Sequence, residues 1–266
     1  MIRDITIGQY YPCDSLIHRL DSRTKIISTL LFVAELFIVD SFIGFAVITA
    51  AMFIVIAISK VPTSFIFRGL KMVFMIIMFT FVINVLLTDG RIIWQWHFIR
   101  ITYEGIYRAF YMTVRLVLLI IGSSLLTLCT KPMELTDGLE KLLRPLEKIN
   151  ISGHEIALMI TIALRFIPTL LEETDKIMKA QQARGADFES GNIVQRAKSL
   201  VPILIPLFIS SFRIAQDLAL AMESRCYHGG KGRTRMNEIK FSGIDIIAAV
   251  VELLFLAIVI VLRIMF

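Results

Sequence analysis

Long apolar runs decide what this chain can fold into. Ile26 to Val39, Phe42 to Ser59, Met72 to Leu87, Tyr103 to Cys129 and Ile244 to Phe266 are dominated by apolar residues, and none carries more than three charges. A helix satisfies its own backbone hydrogen bonds, so apolar runs approaching ~20 residues read as helices crossing a bilayer. The first two runs are joined only by Asp40-Ser41, which makes them a tight helical hairpin. Composition agrees: 56% of the 266 residues are hydrophobic, with 19 Phe and 12 Met, and the mean hydropathy of +0.75 is far from that of a soluble domain. The expectation is an all-α integral membrane protein with about five transmembrane helices.

Lysine and arginine positions orient these spans. Met1 to Lys25 carries Arg3, Arg19, Arg23 and Lys25, and Lys60 to Lys71 carries Lys60, Arg68 and Lys71. The turn at Asp40-Ser41 has none, and the loop from Thr88 to Thr102 has only Arg91 and Arg100. The positive-inside rule therefore places the N-terminus in the cytoplasm and, with five spans, the C-terminus outside. Trp94, Trp96 and Tyr103 read as an outer interfacial belt. The mixed, charged opening residues do not resemble a cleavable leader, and Cys13, Cys129 and Cys226 show no pairing or metal-binding spacing.

Between the fourth and last spans lies a different kind of sequence. Lys131 to Lys240 holds 16 basic and 13 acidic residues, a mixed surface rather than the one-sided basic face that binds nucleic acid. Three regions follow: 1–130, an N-terminal segment and four spans; 131–240, a cytoplasmic domain of about three helices; and 241–266, the last span. Within the middle region Lys131 to Asn150 is amphipathic, with Leu135, Leu139, Leu142, Leu143 and Leu146 on one side. Ile156 to Leu171 and Leu200 to Phe212 are apolar but only 16 and 13 residues long, and Pro168, Pro202 and Pro206 interrupt them. They read as helices packed under the membrane domain, with a seven-span arrangement as the rival.

Each of those two helices turns polar and ends on an arginine between small residues, Ala183-Arg184-Gly185 and Ser224-Arg225-Cys226. A guanidinium offers five donors in a planar fork suited to a carboxylate or carbonyl on a partner. The plain alternative is a solvated basic residue favoured by the helix dipole. Ala215, Leu218, Met222 and Arg225 share one helical face, as do Ile177, Gln181 and Arg184. Such stripes fit a groove of a soluble partner or the protein's own neighbouring helix, and spacing does not choose between them.

Enzyme signatures fail on inspection. His154-Glu155 begins a zinc-protease HExxH, but Leu158 occupies the second histidine position. The stretch Gly229-Gly230-Lys231-Gly232-Arg233-Thr234 lacks the phosphate-binding GxxxxGK[ST] frame. No cofactor is expected. A stand-alone permease is the other competing class, with Arg115, Glu252 and Glu35 as intramembrane charges that could mark a path. Similar depth on antiparallel spans suggests instead that Arg115 and Glu252 pair, with Glu35 the next candidate.

The N-terminal His18-Arg19-Leu20-Asp21-Ser22-Arg23-Thr24-Lys25 is similar to a His-x-Leu-Asp-Pro-Arg-x-Lys signature, and together with the two arginine motifs it gives the whole chain a resemblance to the transmembrane T component of energy-coupling factor (ECF) transporters. Ser22 replaces the usual proline, and Ser-Arg-Cys replaces a second Ala-Arg-Gly. The resemblance implies an L-shaped, non-catalytic scaffold in a bacterial cell membrane, with the 131–240 domain cytoplasmic. It implies as partners two ABC-type ATPase subunits, gripped through Ala183, Arg184, Gly185, Ser224, Arg225 and Cys226, and a substrate-binding membrane subunit of the S type for a vitamin or other micronutrient.

Overall fold

A computed structural model describes residues 10–96, 99–143, 153–188, 192–229 and 241–265. They form ten helices and one hairpin: α1 (Leu16–Arg19), α2 (Ser22–Ile38), α3 (Phe42–Ser59), α4 (Thr63–Leu87), β1 (Ile92–Trp96), β2 (Ile99–Thr102), α5 (Tyr103–Cys129), α6 (Pro132–Leu143), α7 (Gly153–Ala183), α8 (Ile193–Ser199), α9 (Val201–Ser224) and α10 (Gly243–Met265). The protein is an all-α membrane protein. Contacts divide it into two compact units, 8–139 with 239–266 and 140–238, and the division falls inside α6.

In the first unit α5 packs along α4 and against α2 and α3, while α10 packs on α2 and α3. The core between them gathers Leu36, Val39, Phe45, Ile48, Met52, Leu118 and Val259. Gly122 is what lets α5 approach α2, since a Cβ there would land in the Phe32 ring. The outward faces are apolar as well: Phe74, Met75, Ile76 and Phe79 on α4 and Ile246, Ile247, Val250 and Leu254 on α10 are all exposed. A helix apolar all round needs lipid around it.

Five helices are long and apolar enough to cross a membrane: α3, α5, α7, α9 and α10. The helix α4 passes the same test only with its two legs, Thr63–Lys71 and Val73–Leu87, taken together across a 60° bend, so the basic stretch before Met72 is its first leg rather than a loop. At 17 residues α2 is shorter than a straight crossing. The expectation that α7 and α9 are too short to span was based on their uninterrupted apolar runs. The helices in fact continue through Pro168 and Pro206 to 31 and 24 residues, so length does not set them apart from spans. Both are candidate spans by length and composition, and α7 turns polar only in its C-terminal part, with Glu172, Glu173, Asp175, Lys176 and Lys179.

The loop from Thr88 to Thr102 is also more regular than expected. Ile92–Trp96 and Ile99–Thr102 pair antiparallel, Trp94 opposite Ile101 and Trp96 opposite Ile99, as β-branched and aromatic side chains favour. Thr102 then caps α5, accepting from the Gly105 N–H at 3.0 Å and donating to the Thr88 carbonyl at 2.7 Å.

Candidate functional site: two arginine caps on one helix pair

The two arginine motifs have the same backbone. In the first, the Gly185 N–H donates to the Gln182 carbonyl at 2.9 Å and the Ala186 N–H to the Gln181 carbonyl at 3.0 Å. In the second, the Cys226 N–H donates to Glu223 at 2.9 Å and the Tyr227 N–H to Met222 at 3.0 Å. This is the Schellman pattern, in which one left-handed residue lets the chain fold back on the last free carbonyls. Each arginine is the last residue before the left-handed one, and Gly185 (φ 89°) and Cys226 (φ 56°) occupy corresponding positions. Ala183 and Ser224 are the last residues of α7 and α9. Glycine takes a positive φ freely, whereas a side chain there costs about 1–2 kcal/mol.

Both arginines are exposed. Among the described residues neither guanidinium makes a hydrogen bond or ion pair, so both forks are open to solvent.

The helices carrying the caps run antiparallel. The Gln181 side chain reaches the Pro202 carbonyl at 3.4 Å, and Ile162, Phe166 and Leu170 face Ala215, Leu218 and Met222 across a groove of about 340 Å3. At the far end His154 meets Tyr227. Arg184 and Arg225 therefore stand at opposite ends of the pair, roughly 35 Å apart at 1.5 Å per residue along α9. The apolar stripe on α9 faces the protein's own α7. Of the amphipathic segment expected from Lys131 to Asn150, α6 forms over Pro132–Leu143, and 144–152 lie outside the described residues.

His154, the first residue of the incomplete HExxH pattern, is held at both ring nitrogens. Its Nδ1 lies 3.1 Å from Glu140 Oε1 and its Nε2 lies 3.1 Å from the Tyr227 hydroxyl. The glycine-rich stretch begins with Gly229 at φ 93°, and 230–240 lie outside the described residues.

The expected pairing of Arg115 with Glu252 does not form. Arg115 donates to the Val39 carbonyl at 2.9 Å, lies 3.4 Å from Asp40 Oδ1, and sits over the Phe37 and Phe45 rings. Register along antiparallel α2 and α5 explains this. Gly122 lies at Phe32 and the Cys129 carbonyl at Lys25, which brings Arg115 level with the α2–α3 turn. Glu252 instead lies on α10 within electrostatic reach of Glu35, a fully buried carboxyl with no hydrogen-bond partner among the described residues.

Sequence reading left the N-terminal signature without a structural role, and here it joins three helix ends. Asp21 caps α2 through the Arg23 N–H at 2.9 Å, and its carboxylate holds the Arg23 guanidinium at 2.7 Å. The Asp21 N–H donates to Asp245 Oδ1 at 2.7 Å, while Asp245 Oδ2 accepts the Ser242 N–H at the start of α10. Buried Lys25 donates to the His18 and Cys129 carbonyls, both at 3.0 Å, the second at the C-terminus of α5 where the helix dipole favours a cation. Ser22 is the first helical residue, the position proline fits best, so the departure leaves the helix start intact. Burial pushes the His18 imidazole below its usual value, against the opposing pull of the Tyr11 carbonyl it contacts at 3.1 Å.

These helices define a multi-pass membrane protein whose α7–α9 pair carries two exposed arginine caps. A sequence profile of the family described as cobalt transport protein (CbiQ) matches residues 14–237. Proteins named energy-coupling factor transporter transmembrane protein EcfT align over nearly their whole length. The one from Clostridium kluyveri is 56% identical over 99% of this chain and 98% of its own. That from Ruminiclostridium cellulolyticum is 51% identical over all of both, and that from Bacillus subtilis 46% identical over 97% of both. The chain belongs to this family, as a transmembrane component of an energy-coupling factor transporter.

Proposed function

We propose that the chain is the scaffold through which two ABC-type ATPase subunits drive a separate substrate-binding membrane subunit, in an importer of vitamins or other micronutrients. The observation that carries this reading is the pair of matched caps at opposite ends of one helix pair. Two equal docking points about 35 Å apart suit two similar ATPases, one for each arginine. The reading places 131–240 and the N-terminus in the cytoplasm and the C-terminus outside, in a bacterial cell membrane. When the ATPases close on ATP they push or pull the two tips, and α7 and α9 transmit the displacement as rigid levers. The exposed apolar faces of the bundle then serve the substrate subunit and lipid. The chain itself performs no catalysis in this scheme, since hydrolysis belongs to the partners. A permease would need a polar path through the bundle, and Arg115 is already engaged by the α2–α3 turn.

Affinity purification of the tagged chain from native membranes, with mass spectrometry of what accompanies it, tests the reading. Two ATPases and at least one small membrane protein are expected. A chain that purifies alone and transports by itself overturns it.

A further inference from the structure

The two caps reach one backbone by different means. The first uses Gly185, where the left-handed conformation is free and an added Cβ would meet nothing within 4 Å. The second must hold Cys226 in that conformation against its own side chain. Something has to offset this, and the residue after it provides the handle. Ala186 follows Gly185 and has no polar side chain, whereas Tyr227 follows Cys226 and reaches His154.

His154 stands at the first turn of α7 and is itself fixed by Glu140 near the end of α6. A carboxylate only accepts, so Nδ1 carries the proton shared with Glu140, and in the neutral ring Nε2 accepts from the Tyr227 hydroxyl. The ring is thereby oriented at both nitrogens. Gly153 helps to bring the elements together, because a Cβ there would press on Leu143 at 3.3 Å. The anchored Tyr227 also donates its own N–H to the Met222 carbonyl, the bond that closes the cap around Arg225. His228 adds a local contact, Nδ1 to the Cys226 carbonyl at 2.8 Å.

We infer that Glu140 and His154 form a clamp on Tyr227 that takes the place of the missing glycine, so that His154 is a positioning residue for Arg225. Its effect on coupling rests on the ATPase-docking reading above. Its effect on the cap does not. The clamp also joins the second tip to α6 and the start of α7.

The test uses the full chain in its membrane complex and reads two quantities. Amide hydrogen exchange over 222–227 reports the cap itself, and ATPase retention after washing reports coupling. His154→Ala and Tyr227→Phe are expected to speed exchange over 222–227 by about tenfold, the scale of a lost hydrogen bond next to a disfavoured conformation, and to leave 181–186 unchanged. Adding Cys226→Gly to either is expected to restore slow exchange, which a general loss of folding would not allow. ATPase retention should fall with His154→Ala and recover in the double variant with Cys226→Gly. Arg225→Glu added to His154→Ala should cost less than it does alone, while Arg184→Glu should cost the same in both backgrounds. Unchanged exchange in His154→Ala, or no rescue by Cys226→Gly, overturns the clamp. If exchange responds as stated while Arg184→Glu and Arg225→Glu both retain the ATPases, the clamp stands and the docking reading fails.

Discussion

Arg184 and Arg225 owe their placement to the residues that follow them. Because Gly185 has φ 89° and open space around it, Gly185→Ala should destabilise the first cap by ~1 kcal/mol through backbone strain alone. Amide exchange over 181–186 in the otherwise intact complex measures this. Cys226→Gly should have the opposite sign at the second cap. The arginines were legible in the sequence as residues between small neighbours, but the identity of the two caps was not, since Ser-Arg-Cys hides a glycine-like conformation behind a cysteine. His18 gives a residue-scale prediction in pH. Burial holds its imidazole below the ordinary value of 6.5, so the folded state favours the neutral ring and the unfolded chain binds the proton more readily. That contribution is complete above pH 6.5 and is lost as pH falls from 6.5 through the lowered folded value. The melting temperature of the purified complex should drop over that interval, and His18→Asn should flatten the drop.

At the level of elements, apolar length and turn chemistry made most helices readable. The α2–α3 hairpin and α5 and α10 follow their apolar runs closely. Facing was harder to read, because depth along a helix does not say which neighbour a side chain meets. Arg115 is the clearest case: α5 is 27 residues long, so a residue near its middle stands level with the end of α2 rather than beside Glu252. Arg115→Ala should therefore lower expression by exposing the Val39 carbonyl, Asp40→Asn should matter little because that carboxylate is 72% exposed, and the swap of Arg115 with Glu252 should not rescue either single change. Quantifying the chain in isolated membranes checks all three. Pro168 and Pro206 interrupt the apolar runs of α7 and α9 without ending either helix, as the continuation of both to an arginine requires. Proline breaks a helix by removing one donor and crowding one carbonyl, and both helices accommodate that loss and continue. The β1–β2 hairpin was missed because its strands are only 5 and 4 residues long.

For the molecule as a whole, the proposed scaffold role makes the α7–α9 pair a lever with two handles, one at each arginine cap. Topology is the first consequence. Cysteines placed singly at Gly191 and Lys231, in a background without Cys13, Cys129 and Cys226, should be labelled only from inside, and labelling of Gly191 from outside would mean that α7 and α9 cross the membrane. The handles are the second and the more central. Losing one partner of a desolvated, hydrogen-bonded charge pair costs about 2–5 kcal/mol of binding, and lysine cannot replace a planar fork. Arg184→Glu and Arg225→Glu should each leave a crippled complex, the double variant should shed both ATPases, and Arg→Lys at either site should fail largely, with membrane insertion intact throughout. The decisive measurement is ATPase retention and ATP-driven uptake in the same membranes: release with lost uptake is the predicted result, and normal assembly and transport by the Arg184→Glu, Arg225→Glu double variant would contradict the account.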